Sequence, residues 1–339
     1  MGRRVTLAEV AARAGVSPIT VSRALRRPDT VQPETRARID AAVAALGYVP
    51  DPAARALATG RSDVIGVLIP SATNAVFTDV LSGLYEGIAE SRFDVQYGIT
   101  RYDPATEENL LGVFLRQRPA GLIVAGIDQT PAARRLLDRA ACPVVQIMET
   151  GPDPVDMMVG FSHHDAAAEA TRHLIARGYR RPGFLGARMD PRTRRRFAGF
   201  RAVAEAAGLY DPDRSETTET PSSVGRGGEL LRALLARHPD TDAVFCNNDD
   251  LAMGALFEAM RLGIAVPGRL GICGFNDLEM MRAAEPPLTS VRTNRFEMGA
   301  LAAKMIRARL EGRDPGPALV DLGAQVQARA STAGPAAGD

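Results

Sequence analysis

Short apolar runs in this sequence are repeatedly followed by side chains that can hold a hydroxylated ligand. After Ile69-Pro70 come Ser71, Thr73, Asn74 and Phe77, and after Ile147-Met148 comes Glu149. Arg188, Arg192, Arg194, Arg195 and Arg196 crowd one stretch. Asn247-Asn248-Asp249-Asp250 follows Phe245-Cys246, and Asn276-Asp277 follows Gly274-Phe275. Every hydroxyl that a ligand buries must be paired, and amides, carboxylates and guanidinium groups supply the donors and acceptors. The arginines favour an anion, because their planar fork matches a carboxylate or phosphate, although several of them must face solvent. Asn and Asp at strand ends also cap helices, a reading that serves Asp249 and Asp277 at least as well as ligand contact.

Catalytic chemistry has less support. No GxGxxG, GxxxxGK[ST] or HExxH pattern occurs. His163 and His164 are adjacent, so their side chains diverge, and a surface pair is expected rather than a metal site. Glu149 and Asp249 could in principle act as an acid–base couple, but no nucleophile or metal set accompanies them. No enzyme activity, cofactor or metal is therefore expected. Cys142, Cys246 and Cys273 are odd in number, far apart and set in apolar runs. This spacing excludes a CxxC cluster and points to reduced thiols in a cytoplasm.

The elements that must position these residues follow from periodicity. From Val64 onward, β-rich runs (64–70, 95–99, 122–127, 144–148, then 158–161, 183–186, 244–247 and 271–275) alternate with helical stretches such as 76–91. This alternation predicts parallel sheets with helices on both faces, arranged as two α/β lobes around a cleft. Ligands in such sheets bind beyond the carboxyl ends of the strands, where the polar clusters lie.

The first sixty residues are different. They carry nine arginines against five acids, while the remaining 279 carry 32 bases and 35 acids, so a net charge of +1 conceals a basic head on a slightly acidic body. Thr6-Leu7-Ala8-Glu9 reads as a capping box. Leu7, Val10, Ala11 and Ala14 recur at helical spacing, and Gly15 ends the helix. Ser17-Pro18 starts a second helix to about Arg26, with Val21 and Leu25 inward and Ile19, Thr20, Ser22 and Arg23 outward. A third begins at Pro33 and buries Ile39, Val43 and Leu46 before Gly47. Two short helices joined by a glycine turn make a helix-turn-helix, whose second helix enters a major groove N-terminus first.

Thr6-Leu7-Ala8-Glu9-Val10-Ala11, Ala14-Gly15-Val16-Ser17, Thr20-Val21-Ser22-Arg23-Ala24-Leu25, Val31-Gln32-Pro33-Glu34-Thr35-Arg36 and Leu46-Gly47-Tyr48-Val49-Pro50 together resemble the headpiece of the LacI/GalR family of bacterial repressors. The body resembles that family's periplasmic-binding-protein-like core through Gly121-Leu122-Ile123, Arg196-Phe197-Ala198-Gly199-Phe200, Asn248-Asp249-Asp250 and Gly274-Phe275-Asn276-Asp277. The resemblance implies an all-α helix-turn-helix headpiece on an α/β two-lobed core. Residues 1–48 would form the head and 49–61 the hinge helix and linker. The core would span 62–329, with an N-lobe of 62–160 and 292–320 and a C-lobe of 161–291 and 321–329. Residues 330–339 would be a flexible tail.

By the same resemblance, Pro18, Ile19 and Arg23 read base edges, Ser17, Thr20, Ser22 and Thr35 meet phosphates, and Thr6, Ala54 and Arg55 also contact DNA. Leu57 is levered into a base step from the minor groove. Ser71, Asn74, Phe77, Glu149, Arg192, Arg196, Asn248, Asn276 and Thr293 surround the effector. Asn276 and Thr293 stand where the family often has Asp and Gln. Leu68-Ile69-Pro70-Ser71-Ala72-Thr73-Asn74, Val159-Gly160-Phe161 and Leu185-Gly186-Ala187-Arg188 look most like the gluconate-utilisation repressors.

The expected protein is a cytoplasmic, nucleoid-associated homodimer that binds pseudo-palindromic double-stranded operator DNA and no membrane. Its carbohydrate effector is expected to be a sugar acid such as gluconate or 6-phosphogluconate. The alternatives are a periplasmic-type sugar receptor without DNA binding, which would need a signal peptide, and a regulator responding to a neutral sugar or a purine. The tail lacks leucine heptads, so a dimer is expected rather than a tetramer.

Overall fold

The computed structural model describes residues 5–26, 28–49, 60, 62–89 and 91–335. The expected hinge helix, with Ala54, Arg55 and Leu57, lies outside the described residues. The chain divides into two units, Met1–Ser62 and Asp63–Asp339.

In the first unit, α1 (Leu7–Ala14), α2 (Pro18–Arg26) and α3 (Pro33–Leu46) close over Val10, Ala11, Ala14, Val21, Ala24, Ile39 and Ala42. Thr6 and Glu9 form the capping box, the Glu9 amide donating to Thr6 Oγ1 and the Thr6 amide to Glu9 Oε2 at 2.8 Å. Gly15, at φ 67°, takes the left-handed conformation that lets α1 stop there. Leu25 does not lie inward beside Val21. It is exposed, and Ala24, one helical turn from Val21, fills the core position instead.

The second unit holds two six-stranded sheets. The first contains β1 (Val64–Ile69), β2 (Asp94–Ile99), β3 (Gly121–Ala125), β4 (Val144–Ile147), β5 (Met157–Gly160) and β11 (Leu319–Asp321), all parallel, in the order β11-β5-β4-β3-β1-β2. The second contains β6 (Pro182–Ala187), β7 (Ser215–Thr218), β8 (Ala243–Cys246), β9 (Gly271–Asn276), β10 (Thr289–Thr293) and β12 (Ala324–Gln327). Its order is β12-β10-β9-β8-β6-β7, with only β12 antiparallel. Central strands are buried on both faces, as parallel sheets covered by helices require.

The covering helices are α4 (Val76–Ile88), α5 (Pro104–Arg116), α6 (Pro131–Asp138), α7 (His163–Ala176), α8 (Pro191–Ala206), α9 (Val224–Arg237), α10 (Asp249–Arg261), the short α11 (Met280–Ala283) and α12 (Arg295–Leu310). The chain passes between the sheets after β5, β10 and β11. β10 ends at Thr293, so that strand stays with the second sheet past residue 291. α12 then returns to pack on α4. A Cβ on Gly83 or on Gly299 would come within 1.9 Å of a backbone oxygen of the facing helix, so this spacing requires glycine on both helices.

Residues 330–332 depart from the expected flexible tail. They form a 3-10 turn with Ser331 and Thr332 buried. Ser331 Oγ donates to the Ile272 carbonyl at 2.6 Å and accepts the Thr289 amide at 2.8 Å. Those two bonds tie the segment to β9 and β10. Among the described residues, no helix is long and apolar enough to cross a membrane.

Candidate functional site

In the N-terminal unit, α2 presents its first residues to solvent. Ser17, Pro18, Ile19 and Arg23 are exposed, Thr20, Ser22 and Thr35 are half-buried, and Ile19 is 72% exposed. A large apolar side chain held this open on a well-formed helix is suited to a partner surface. Ser17 Oγ accepts the Thr20 amide at 3.2 Å and lies 2.9 Å from its hydroxyl, which fixes the helix start. Thr6 spends its hydroxyl on Glu9, at 3.0 Å. Arg38, which sequence reading passed over, donates from α3 to the Ala14 carbonyl through Nη2 (2.8 Å) and Nε (3.2 Å), so it caps α1 from outside.

The second unit has a cleft where the strands of both sheets end. An inner compartment is lined from one sheet by Asn74, Val76, Phe77, Tyr102 and Met148. The other sheet supplies Ala187, Arg188, Asp190, Arg192, Thr193, Arg196, Ser222, Asn247, Asn248 and Asn276. Six expected residues meet here: Asn74, Phe77, Arg192, Arg196, Asn248 and Asn276. Three do not line it. Ser71 Oγ accepts the Thr73 and Asn74 amides, so it shapes the loop that carries Asn74. Thr293 is buried, accepts from Arg295 and lines a separate surface groove with Asp79 and Arg292. Glu149 sits behind the wall.

Burial dominates the electrostatics behind that wall. His163 is fully buried, not a surface residue. Its Nδ1 accepts from Arg196 Nε at 3.1 Å and its Nε2 lies 3.0 Å from the Met148 carbonyl, which together place the proton on Nε2. Burial pushes its pKa well below the usual histidine range, so the ring is neutral. Glu149 Oε1 accepts the His163 amide at 3.3 Å and Oε2 accepts Arg195 Nη1 at 3.4 Å. Burial raises the Glu149 carboxyl to about 7, with Arg195 opposing the rise. Arg196 lies 3.8 Å over the Phe275 ring and donates to the Asn247 carbonyl. Burial lowers its guanidinium to about 10, so it remains charged at neutral pH.

Capping and ligand roles divide differently from expectation at Asn248 and Asp249. Asn248 caps α10 by accepting the Leu251 amide at 3.1 Å, and it lines the cleft as well. Asp249 is fully buried and accepts the Leu278 amide (2.7 Å) and the Ser290 hydroxyl (2.6 Å). It neither caps α10 nor joins Glu149. The described residues hold no group of three or more His, Cys, Asp or Glu that could bind a metal.

Residues 6–51 match the model of "Bacterial regulatory proteins, lacI family", and residues 171–332 match "Periplasmic binding protein-like domain". The chain is 42% identical over 329 residues to the HTH-type transcriptional regulator GntR of Pseudomonas aeruginosa, covering 97% of this chain and 96% of that relative. The chain belongs to the lacI family of bacterial regulatory proteins. A second relative, the HTH-type transcriptional regulator GntR of Escherichia coli K12, is 39% identical over 95% of this chain and 96% of its own length. A LacI-family transcriptional regulator from Silicibacter pomeroyi has a crystal structure that superposes with a TM-score of 0.89 at 38% identity, over 97% of this chain and 99% of that one. As a lacI-family regulator, the protein is a DNA-binding transcriptional repressor with an N-terminal helix-turn-helix and a two-sheet α/β core.

Sequence reading missed Tyr102 in this lacI-family core. It follows β2 at φ 60°, Arg188 follows β6 at φ 51°, and the guanidinium lies 4.0 Å over the tyrosine ring. Arg192 approaches the same ring at 5.9 Å, and Asn74 Nδ2 donates to Tyr102 Oη at 3.1 Å. Met148 and Asn276 also have positive φ. Uncommon backbone conformations therefore collect around the cleft, as they do at binding sites held by a rigid scaffold. A lone tyrosine after a strand carries no motif, and its partners are 28, 86 and 90 positions away, so only the fold brings them together.

Proposed function

We propose that this protein represses transcription from a pseudo-palindromic operator as a homodimer, and that a sugar acid such as gluconate, bound in the inner compartment, sets its operator affinity. The single observation that carries the effector reading is the lining of that compartment. Arg188, Arg192 and Arg196 line one space together with Asn74, Asn247, Asn248 and Asn276, which combines a carboxylate-matching charge with amides for hydroxyls.

In this reading Asn74, Phe77, Arg192, Arg196, Asn248 and Asn276 contact the effector, and Ser71, Glu149 and Thr293 support the walls. Pro18, Ile19 and Arg23 read base edges. Ser17, Thr20, Ser22 and Thr35 meet phosphates, and Thr6 acts by fixing α1. Ala54, Arg55 and Leu57 serve the hinge. Residues 1–48 are the head, 49–61 the link, and the remainder the effector core. The protein acts in the cytoplasm and catalyses no reaction on its effector. Effector binding moves one lobe against the other, and that movement changes the spacing of the two heads; couplings of this kind are about 1–3 kcal/mol.

Calorimetric titration with gluconate, 6-phosphogluconate, glucose and a purine nucleoside tests the effector class. Heat from the acids alone supports the reading, and heat from a neutral hexose alone overturns it.

A further inference from the structure

Arg188, Arg192, Arg194, Arg195 and Arg196 are close in sequence, and the structure separates their roles. Arg194 donates to the Met189 carbonyl at 2.5 Å and to Glu219 at 3.2 Å. Arg195 is held by Asp128 and Glu149. Arg196 has committed Nε to His163 Nδ1 and Nη1 to the Asn247 carbonyl, which leaves Nη2 for a ligand hydroxyl. Arg188 and Arg192 differ from these three. Both line the inner compartment, both are half-buried, and neither guanidinium makes a hydrogen bond or ion pair with the protein among the described residues. Their shared neighbour is the Tyr102 ring, whose centre lies 4.0 Å from the guanidinium carbon of Arg188 and 5.9 Å from that of Arg192.

A ring face attracts a guanidinium without using its N–H groups, so the donors of both arginines stay available to a ligand. Tyr102 is itself fixed. Asn74 Oδ1 accepts the Val76 amide at 3.1 Å, so Nδ2 is the side of that amide that donates to Tyr102 Oη, also at 3.1 Å. Arg188 is fixed through its backbone amide, which donates to the Thr220 carbonyl at 2.8 Å. The ring follows β2 in one lobe and the guanidinium follows β6 in the other, so the stack spans the cleft. Asp190 is the one carboxylate in the lining, and it accepts the Thr193 amide at the start of α8. Two guanidinium groups that share one neutral ring repel each other. A carboxylate supplies both the opposite charge and paired acceptor oxygens.

We infer that Arg188 and Arg192, rather than Arg196, take the acid group of the effector, and that Tyr102 is the positioning residue that holds Arg188 in place for it. This inference rests on the reading of the inner compartment as the sugar-acid site. It divides that site into an acid end at Tyr102 and a hydroxyl end at Arg196, Asn248 and Asn276.

The test is calorimetric titration of the full chain with gluconate, accompanied by thermal scans. It compares the native protein with Arg188→Gln, Arg192→Gln, Tyr102→Leu, Tyr102→Phe and the double variant that combines Arg188→Gln with Tyr102→Leu. Each arginine variant is expected to weaken gluconate at least about tenfold, and Tyr102→Leu at least about fivefold. Tyr102→Phe keeps the ring and stays within about twofold of the native protein. The double variant binds no more weakly than Arg188→Gln alone, because the tyrosine acts through that arginine; a ring that merely filled space would add its own loss. Native affinity in Arg188→Gln, additive losses in the double variant, or equal losses in Tyr102→Leu and Tyr102→Phe overturn the inference. If the native protein binds no gluconate, the sugar-acid reading fails and inorganic phosphate becomes the probe. Phosphate binding that is lost in Arg188→Gln and kept in Tyr102→Phe would then preserve the arginine pair as an anion site, and its absence would remove both.

Discussion

Arg195 reaches across the cleft from α8 and holds Asp128 of the other lobe through two parallel bonds, Nη2 to Oδ1 at 2.6 Å and Nη1 to Oδ2 at 2.8 Å. The same Nη1 lies 3.4 Å from Glu149 Oε2. The pair bridges the two lobes, and neither residue lines the inner compartment. Because both side chains are about one-third exposed, solvent screens much of the attraction, and the pair is worth about 1 kcal/mol or less. Arg195→Ala is expected to weaken gluconate binding by up to about fivefold while shifting the melting temperature by no more than about 3 °C. Calorimetry and thermal scans on one preparation check both. Unchanged affinity would show that the pair does not report on closure.

Glu149 makes stability depend on pH. Burial raises its carboxyl from 4.5 to about 7 in the folded protein. Through that window the folded state binds more protons than the unfolded state, so stability falls as pH rises. The contribution is fully present below about 4.5 and lost above about 7, to a limit of about 3 kcal/mol. Buried Asp249, raised to about 6, slopes in the same direction. The comparison of native protein with Glu149→Gln isolates the Glu149 part. Melting temperatures between pH 4.5 and 7.5 should fall less steeply in Glu149→Gln, and parallel curves would contradict the assignment.

Ser331 ties the C-terminal turn into the second sheet. Its hydroxyl bridges the Thr289 amide and the Ile272 carbonyl, and the residue is fully buried. Removing the hydroxyl leaves both backbone groups without that partner, at about 1–3 kcal/mol. Denaturant unfolding of Ser331→Ala should show a lower midpoint at an unchanged slope.

Much of this architecture is legible in the residues themselves. Thr6, Glu9, Gly15 and Pro33 act through their immediate neighbours, so local chemistry sets the head. Fully apolar runs such as Gly121–Ala125 announce buried parallel strands. The strands β7, β10 and β12 are harder, because Ser215–Thr218 is polar and Thr289–Thr293 carries Arg292 outward; their pairing is decided by the sheet, not by propensity. At the cleft, Arg196 and Asn276 stand out by type. Glu149 and Ser71 share that type, yet their groups are spent on His163 and on the Asn74 loop. Tyr102 has only a long-range identity, set by Arg188 and Asn74.

Arg23 on the exposed face of α2 and Thr35 on α3, proposed to meet a base edge and a phosphate respectively, predict different phenotypes. Arg23→Ala is expected to cost about 1–3 kcal/mol of operator affinity and to relax preference at one base pair of each half-site. Thr35→Ala should weaken all sequences about equally. A panel of single-base operator variants, titrated at fixed salt, separates the two outcomes. Uniform weakening by Arg23→Ala would place that side chain on the backbone.

The central claim joins the head to the cleft, and operator binding measured with and without gluconate tests it most directly. Fluorescence anisotropy should be recorded at one stated salt concentration, because phosphate contacts make affinity strongly salt-dependent. Saturating gluconate is predicted to change operator affinity by at least about fivefold, and Arg196→Lys to abolish the change while leaving operator binding intact. Identical affinity with and without the acid, or a change produced by glucose and not by gluconate, would contradict the account.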